Sequence, residues 1–516
     1  MRKLILSAAL VAVAAAQTFP VAGVVTDAIR GAPLERAHVI LGSGSDRPLT
    51  LVTTADGKFS FDVPQGKYNL YAERNGWRMQ YGTFGSSVGF GSAIITGPGQ
   101  DTAHLSLQWY APAAISGAVT DEQGEPVRDA TVQLMCDSAE GGWKRVVQAG
   151  TAATDDRGEY RFAPLAAGKY YIVVTGQPWY ATRAPRAPSD LSVGYPPTYF
   201  PGTTDARTAV PITLKAGTEA HADVAIRATA GVSLRIRCPG IGAQDDICQG
   251  ITSLYLPGIG GQEVIQPTGN NWATHSLSGV LPGRYTVRFA GQELSASRVI
   301  DVGSDDLTID LTMQQPTLIT GTVTFKNGLP KRGSTLNIGM MDPTTGDAVG
   351  FPVEPDGTFR IANANAAPFR PFLYGSAAQF IAQMSVEGAP FKDGVVDLTE
   401  NTAVNLKIVA SDETGRVKGF AMNGDTPAPA VMVVLAPRTE SHDPTNYRGF
   451  QTESDGSFDY VNIPAGDYLL FAVDRLDLEY TNPDVVRPYL SSAMAVHLPA
   501  HGVVEQRVPL SATPKE

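Results

Sequence analysis

The hydrophobic residues of this chain fall in short alternating runs. In "SDGSFDYVNIPAGDYLLFAV", Phe458 and Tyr460 stand two apart, and so in turn do Tyr468, Leu470 and Ala472. A period of two puts alternate side chains on one face of a strand. Asp455-Gly456 precedes the first run, and Pro464 to Gly466 separates it from the second. Asp favours the start of a turn and Gly tolerates positive φ, so both places are turn signals. The stretch predicts turn, strand, turn, strand, with one buried face on each strand. No stretch of helical period is read beyond the first sixteen residues, so the fold class is all-β.

The same pattern is written elsewhere. "TDDRGEYRFAPLAAGKY" (Thr154–Tyr170) and "TESDGSFDYVNIPAGDY" (Thr452–Tyr468) agree in the places of both glycines and the last tyrosine, and "TADGKFSFDVPQGKY" (Thr54–Tyr68) is a shortened copy. Each copy belongs to a longer unit that opens with a glycine inside a β-like run, as in "VAGVVTD" from Val21, "ISGAVTD" from Ile115, "ITGTVTF" from Ile319 and "VKGFAMN" from Val417, and ends in a strand, a short turn and a strand. From that glycine to the aspartate-glycine turn the spacing is 34 to 41 residues, as expected for fixed strands joined by loops of changing length. Five units result, at 19–110, 111–229, 230–314, 315–410 and 411–513. The third has lost the aspartate-glycine turn but keeps "LPGRYTV" (Leu281–Val287). The fourth keeps "PDGTFRI" (Pro355–Ile361) and lacks the glycine-x-tyrosine end. Such spacing predicts a tandem array of antiparallel β-sandwiches. The tyrosine after the second glycine is expected to tie its hydroxyl to backbone, a packing role.

These residues resemble the carboxypeptidase regulatory-like domain. Gly117, Asp121, Gly124, Pro126, Ala130 and Val132 match its first half, and Thr154, Gly158, Tyr160, Phe162, Gly168 and Tyr170 its second. The first, second and fifth units fit the pattern, and the third and fourth fit partly. The resemblance implies a prealbumin-like, Ig-like sandwich related to carbohydrate-binding modules. It implies a domain that accompanies a catalyst without being one. Fold alone does not supply function.

Composition adds limits. Of 516 residues 43% are hydrophobic, enough for packed cores, and 53 Gly with 37 Pro suit many turns. A net charge of −11 gives no basic footprint for nucleic acid. Arg2 and Lys3, the apolar run Leu4–Val13 and Ala14–Ala16 make residues 1–16 a predicted signal peptide. No later apolar run predicts a membrane-spanning helix, so the expected location is secreted, periplasmic or at the cell surface. Of three cysteines, Cys238 and Cys248 flank a loop and are expected to pair, while Cys136 is expected to be a lone thiol.

The chemistry of catalysis is hard to find. The seven histidines stand in no metal motif, and His497 and His501 flank a proline in "HLPAH". Ser87 fits GxSxG in "GSSVG", but without the strand-to-helix elbow that motif needs. The acidic turns at Asp155-Asp156 and Asp305-Asp306 lack calcium-loop spacing. No enzyme activity, cofactor or metal is expected. Aromatic residues do collect in the insertions between strands: Trp77 and Tyr81 in the first unit, Trp179, Tyr180, Tyr195, Tyr199 and Phe200 in the second, Tyr480 and Tyr489 in the fifth. Such rings suit sugar rings or partner proteins. Equally they suit pinning long loops to the sandwich or filling joints between units. The expected function is an exported, non-catalytic binding or scaffold protein. Its candidate partners are polysaccharide or envelope proteins, and the alternative is a spacer without sugar binding.

Overall fold

The computed structural model describes residues 17–511 except 44–46, 76, 80–92, 183–192, 240–250, 272–275, 291–294, 312–316, 329–332, 344–345, 347, 365–366, 376–378, 400–402 and 442. Strands dominate, and their sheets pair into five successive sandwiches. The fifth shows the plan. Its first strand Thr414–Asn423 lies between the fourth, Ser457–Pro464, and the seventh, Val503–Pro509. The facing sheet runs third, second, fifth, sixth: Arg448–Gln451, Met432–Pro437, Gly466–Val473 and Met494–Leu498. Val417, Phe458 and Val508 of one sheet meet Val433, Leu470 and Val496 of the other in a core from which water is excluded. Equivalent cores run from Val21 to Trp109, Ala113 to Ile226, Val232 to Leu311 and Ile319 to Ala410.

One feature of the sheets departs from the antiparallel expectation. In every sandwich the seventh strand pairs parallel with the first. The reason is parity. Each strand reverses the one before it, so the seventh runs in the same direction as the first, and the two are neighbours. This pairing explains the glycine that opens the units. A Cβ on Gly23, Gly117, Gly321 or Gly419 would stand 2.0, 2.3, 2.4 or 1.7 Å from a carbonyl oxygen of the seventh strand. Only glycine lets the two strands come that close.

The repeated stretch is a set of backbone fasteners. Thr53, Thr154 and Thr452 are buried, and each hydroxyl accepts one backbone N–H and donates to one carbonyl: Ala37 and Leu34, Ala130 and Val127, Val431 and Ala428. In the aspartate-glycine turns, Gly57, Gly158, Gly357 and Gly456 all have positive φ, between 66° and 86°. The tyrosines behave as expected. Tyr68, Tyr170, Tyr285 and Tyr468 donate to the carbonyl four residues earlier, at 3.1, 3.0, 2.9 and 2.7 Å. Each holds the turn between the fourth and fifth strands.

The fourth sandwich breaks this rule. Its sixth strand, Phe380–Glu387, leaves the fifth strand, Arg370–Gly375, and pairs with the seventh, Ala403–Ser411. The expected absence of helix also needs correction. Pro483–Leu490 is an α-helix, capped by Asn482 and burying Val486 and Tyr489. Its alternation is too short, and its prolines too many, for the period to be legible. Among the described residues no helix is long and apolar enough to cross a membrane, and residues 1–16 lie outside them.

The array doubles back. The turn Glu453–Gly456 of the fifth sandwich docks on the sixth strand of the first. Glu453 accepts from the Ala93 N–H and pairs with Lys67 at 2.5 Å, and Ser454 bonds Ala93 and Ile95. These bonds satisfy backbone groups that the edge strand Ile94–Thr96 would otherwise present to water. Thr481 of the fifth sandwich donates to the Gly142 carbonyl of the second through both N–H and hydroxyl.

Candidate functional site

The insertion aromatics do not form one ligand face. In the second sandwich, Val193–Tyr199 is a strand that extends the sheet beside Gly168–Gly176. A register shift between Val174 and Gly176 breaks the alternation and turns Tyr195, opposite Gly176, into the core, while Tyr199 packs with Val173 on Val264 of the third sandwich. Phe200 covers the same core from its rim. Burial, aided by Asp205, pushes the Tyr199 hydroxyl up to about 12. In the fifth sandwich Tyr489 stacks on Phe471 with centroids 5.4 Å apart. Tyr480 lies so close over Gly142 of the second sandwich that a Cβ there would meet its ring at 2.4 Å. Trp77 packs half-buried on the first core, with the Arg74 guanidinium 4.9 Å from its ring. Strand pairing and joint packing thus use the surfaces of Tyr195, Tyr199, Tyr480 and Tyr489, and Phe200 and Trp77 stay half-buried at the rims of their cores. Tyr81 and Ser87 lie outside the described residues.

Two rings remain outward. Trp179 is 71% exposed and Tyr180 37%, on a short helical turn that leaves the fifth strand. The rings meet edge to face, 5.8 Å between centroids. Partial burial and the nearby carboxylates of Glu122 and Asp121 raise the Tyr180 pKa. The same carboxylates and Tyr180 add to the burial that holds the Tyr195 phenol protonated. Asp121 is fixed as the acceptor for the Gln123 and Glu125 N–H groups, and Glu122 accepts from Ala228. The result is an aromatic platform bordered by two anchored carboxylates. Apolar ring faces beside hydrogen-bond acceptors are the means by which proteins hold sugar rings.

A second cluster escaped the sequence reading. Ser116 of the first strand and His221 of the seventh face each other across the parallel pair, with Oγ 3.1 Å from Nδ1. Glu219 beside them accepts from Arg161 at 3.1 Å, and that bond and one from Ser116 lower its pKa. The group lies on the open sheet face. No spacing rule links residues 116 and 221, because their contact depends on parallel pairing.

A family model for the carboxypeptidase regulatory-like domain matches residues 20–92 and 114–227. Both ranges are similar to the carboxypeptidase regulatory-like domain. They are the first two sandwiches, and the platform stands on the second. The fifth sandwich repeats the motif and the topology outside the matched ranges. No curated protein matches the chain. Among solved structures it is similar to the Bacillus anthracis TIE protein, at 8% identity over 92% of this chain and 65% of that one, TM-score 0.16. A streptococcal ancillary pilin follows at 11%, 54% and 98%, TM-score 0.19. The shaft pilin SpaA from Lactobacillus rhamnosus GG gives 10%, 42% and 98%, TM-score 0.21. The chain spans less than two thirds of the TIE protein's length, and likenesses at these TM-scores carry no functional weight.

Cysteine use follows the same structural logic. Cys238 is buried and disulfide-bonded; Cys248 lies outside the described residues. Cys136 is a free thiol whose pKa is raised by burial and then by Asp137, so it is a poor nucleophile. Among the described residues no group of three or more His, Cys, Asp or Glu side chains could hold a metal ion.

The residue most completely missed is Arg370. In the first, second, third and fifth sandwiches, the tyrosine of the glycine-x-tyrosine pair stands five residues before the partner of the second strand's first residue. In the fourth that register position is Arg370. It is buried, and it reaches Asp443 of the fifth sandwich at 2.7 Å and the Asp393 carbonyl at 2.9 Å. Its signal in the sequence was the missing tyrosine.

Proposed function

We propose that this is an exported, non-catalytic scaffold protein of the cell surface or periplasm, with domains at the five unit boundaries given above. The observation that carries the reading is the use of the insertion aromatics: Tyr199 and Tyr480 fill joints between sandwiches. The docking of Glu453 on Lys67 and Ala93 joins the first and fifth. A chain held in this way presents fixed surfaces at fixed spacing. Zero-length carbodiimide coupling tests it: a Lys67–Glu453 crosslinked peptide is expected. Its absence, with first and fifth sandwiches cut independently by protease, would remove the basis for a locked scaffold. Export is checked by the mature N-terminus, expected at Gln17.

A second reading, polysaccharide binding, is favoured by the platform of Trp179 and Tyr180 beside Asp121 and Glu122. Affinity electrophoresis through a panel of polysaccharides tests it. Retardation that disappears in Trp179→Ala supports a sugar-binding face. Unretarded migration in every gel leaves the scaffold reading alone.

A further inference from the structure

Arg370 leads to a place where three sandwiches meet. A cavity of about 230 Å³ opens between Trp143 of the second, Pro343 and Arg370 of the fourth, and Pro444, Glu479 and Asn482 of the fifth. We propose that this junction cavity binds a single neutral polyhydroxylated ring, a hexose-type sugar. The site is separate from the Trp179 platform and does not rest on the reading given to it.

Four observations converge. The volume is below the 300 Å³ or so of ordinary ligand pockets, so it suits a single ring. Pro343, Pro444 and the side of Trp143 away from the Arg145 guanidinium, which lies 5.5 Å from its ring, supply rigid apolar surfaces for the C–H face of a pyranose. The polar groups converge from different sandwiches and are held in place. The Asn482 side chain is fixed as the helix cap, accepting from the Asp484 N–H at 3.1 Å. Arg370 is fixed by Asp443.

The fourth observation is an unmet need. The Arg370 Nε is buried and has no acceptor among the described residues. A buried donor without a partner costs about 1–3 kcal/mol, and the same guanidinium belongs to a residue that lines the cavity, where a small side-chain shift on binding would let a ligand hydroxyl accept from it. Charge decides against an anion. Arg370 is already neutralised by Asp443, and Glu479 adds a carboxylate that repels anions but accepts from hydroxyls. The Tyr-to-Arg exchange in the repeat gives up a local fastener and places a guanidinium at this junction.

The test uses the full mature chain with glucose, galactose and mannose as probes, read by saturation-transfer NMR and by the shift of the unfolding temperature. Binding of at least one hexose is expected, weakened at least about tenfold in Glu479→Ala and in Trp143→Ala and unchanged in Val52→Ala, at an exposed strand position of the first sandwich. Should Trp143→Ala disturb the joint, Glu479→Ala, on the cavity rim, decides alone. The proposal fails if no hexose binds up to about 100 mM. It fails if binding survives Glu479→Ala, or if Trp179→Ala abolishes it. It also fails if only cationic amines bind and Glu479→Gln removes them.

Discussion

The fourth and fifth sandwiches begin alike and end differently. Both have the first-strand glycine, Gly321 and Gly419, under the seventh strand, and both have the aspartate-glycine turn. In the fifth, Tyr468 ties the next turn to the Pro464 carbonyl, and the sixth strand pairs beside Gly466. In the fourth, Arg370 takes the tyrosine's register position, its side chain reaches into the neighbouring sandwich, and the sixth strand moves to the other sheet. The lesson is that the parts of the repeat are separable. The glycine and the turn set the close packing of the first, fourth and seventh strands. The tyrosine fastens one corner, and where it is absent that position can serve a joint.

The largest effect is expected from Arg370→Ala. It leaves Asp443 without its cation in a partly buried site, and losing one partner of a buried pair costs about 3–5 kcal/mol; partial exposure of Asp443 points to the lower end. Chemical denaturation should show this loss, with early protease cleavage between the fourth and fifth sandwiches. A loss no larger than about 0.5 kcal/mol, as at an ordinary surface site, would mean that the arginine does not join them.

Next comes the shared glycine. Gly419→Ala forces a Cβ to 1.7 Å from the Gln506 carbonyl oxygen, and a cost of about 3 kcal/mol is expected for so rigid a clash. Gly466→Ala, whose Cβ would meet only the Tyr468 ring at 3.7 Å, should change stability by less than about 1 kcal/mol. Equal effects would erase the distinction between packing glycine and turn glycine.

A smaller effect belongs to the tyrosine corner. Tyr285→Phe removes one hydrogen bond to the Leu281 carbonyl and should cost about 1 kcal/mol. Its pH dependence has a definite sign. Burial raises the Tyr285 hydroxyl from 10.0 to about 12, opposed by the Leu281 bond. The folded state therefore holds this proton more tightly than the unfolded state. The contribution is complete below pH 10 and is lost as pH rises from 10 towards 12. Phenolate absorbance should show exposed tyrosines ionising first, with one fewer late-ionising group in Tyr285→Phe. Early ionisation of every tyrosine would contradict the buried corner.

The smallest expected effect is that of Trp179→Ala on stability, within about 0.5 kcal/mol as for other exposed sites. A larger loss would move Trp179 from the platform class into the joint class. Peptide mapping without reduction should find Cys238 joined to Cys248 and Cys136 free; a different partner for Cys238 would overturn the loop pairing.

Sequence alone determined the strands, the turns and the tyrosine corners, because each rests on spacing of two to four residues within one stretch. Alternation at Phe458 and Tyr460, positive φ at Gly456 and the Tyr468-to-Pro464 bond are local, and local chemistry is written in adjacent letters. The aromatic insertions were legible as clusters, but their faces were not. Whether Tyr199 or Tyr480 meets water or a neighbouring sandwich depends on how whole domains pack. Tertiary structure alone decided the parallel pairing that joins Ser116 to His221, the docking of Glu453 on the first sandwich, and the role of Arg370. Those contacts link residues tens to hundreds of positions apart, and no period in the chain encodes them. They are fixed only when unpaired strand edges, buried charges and large rings find partners on another sandwich.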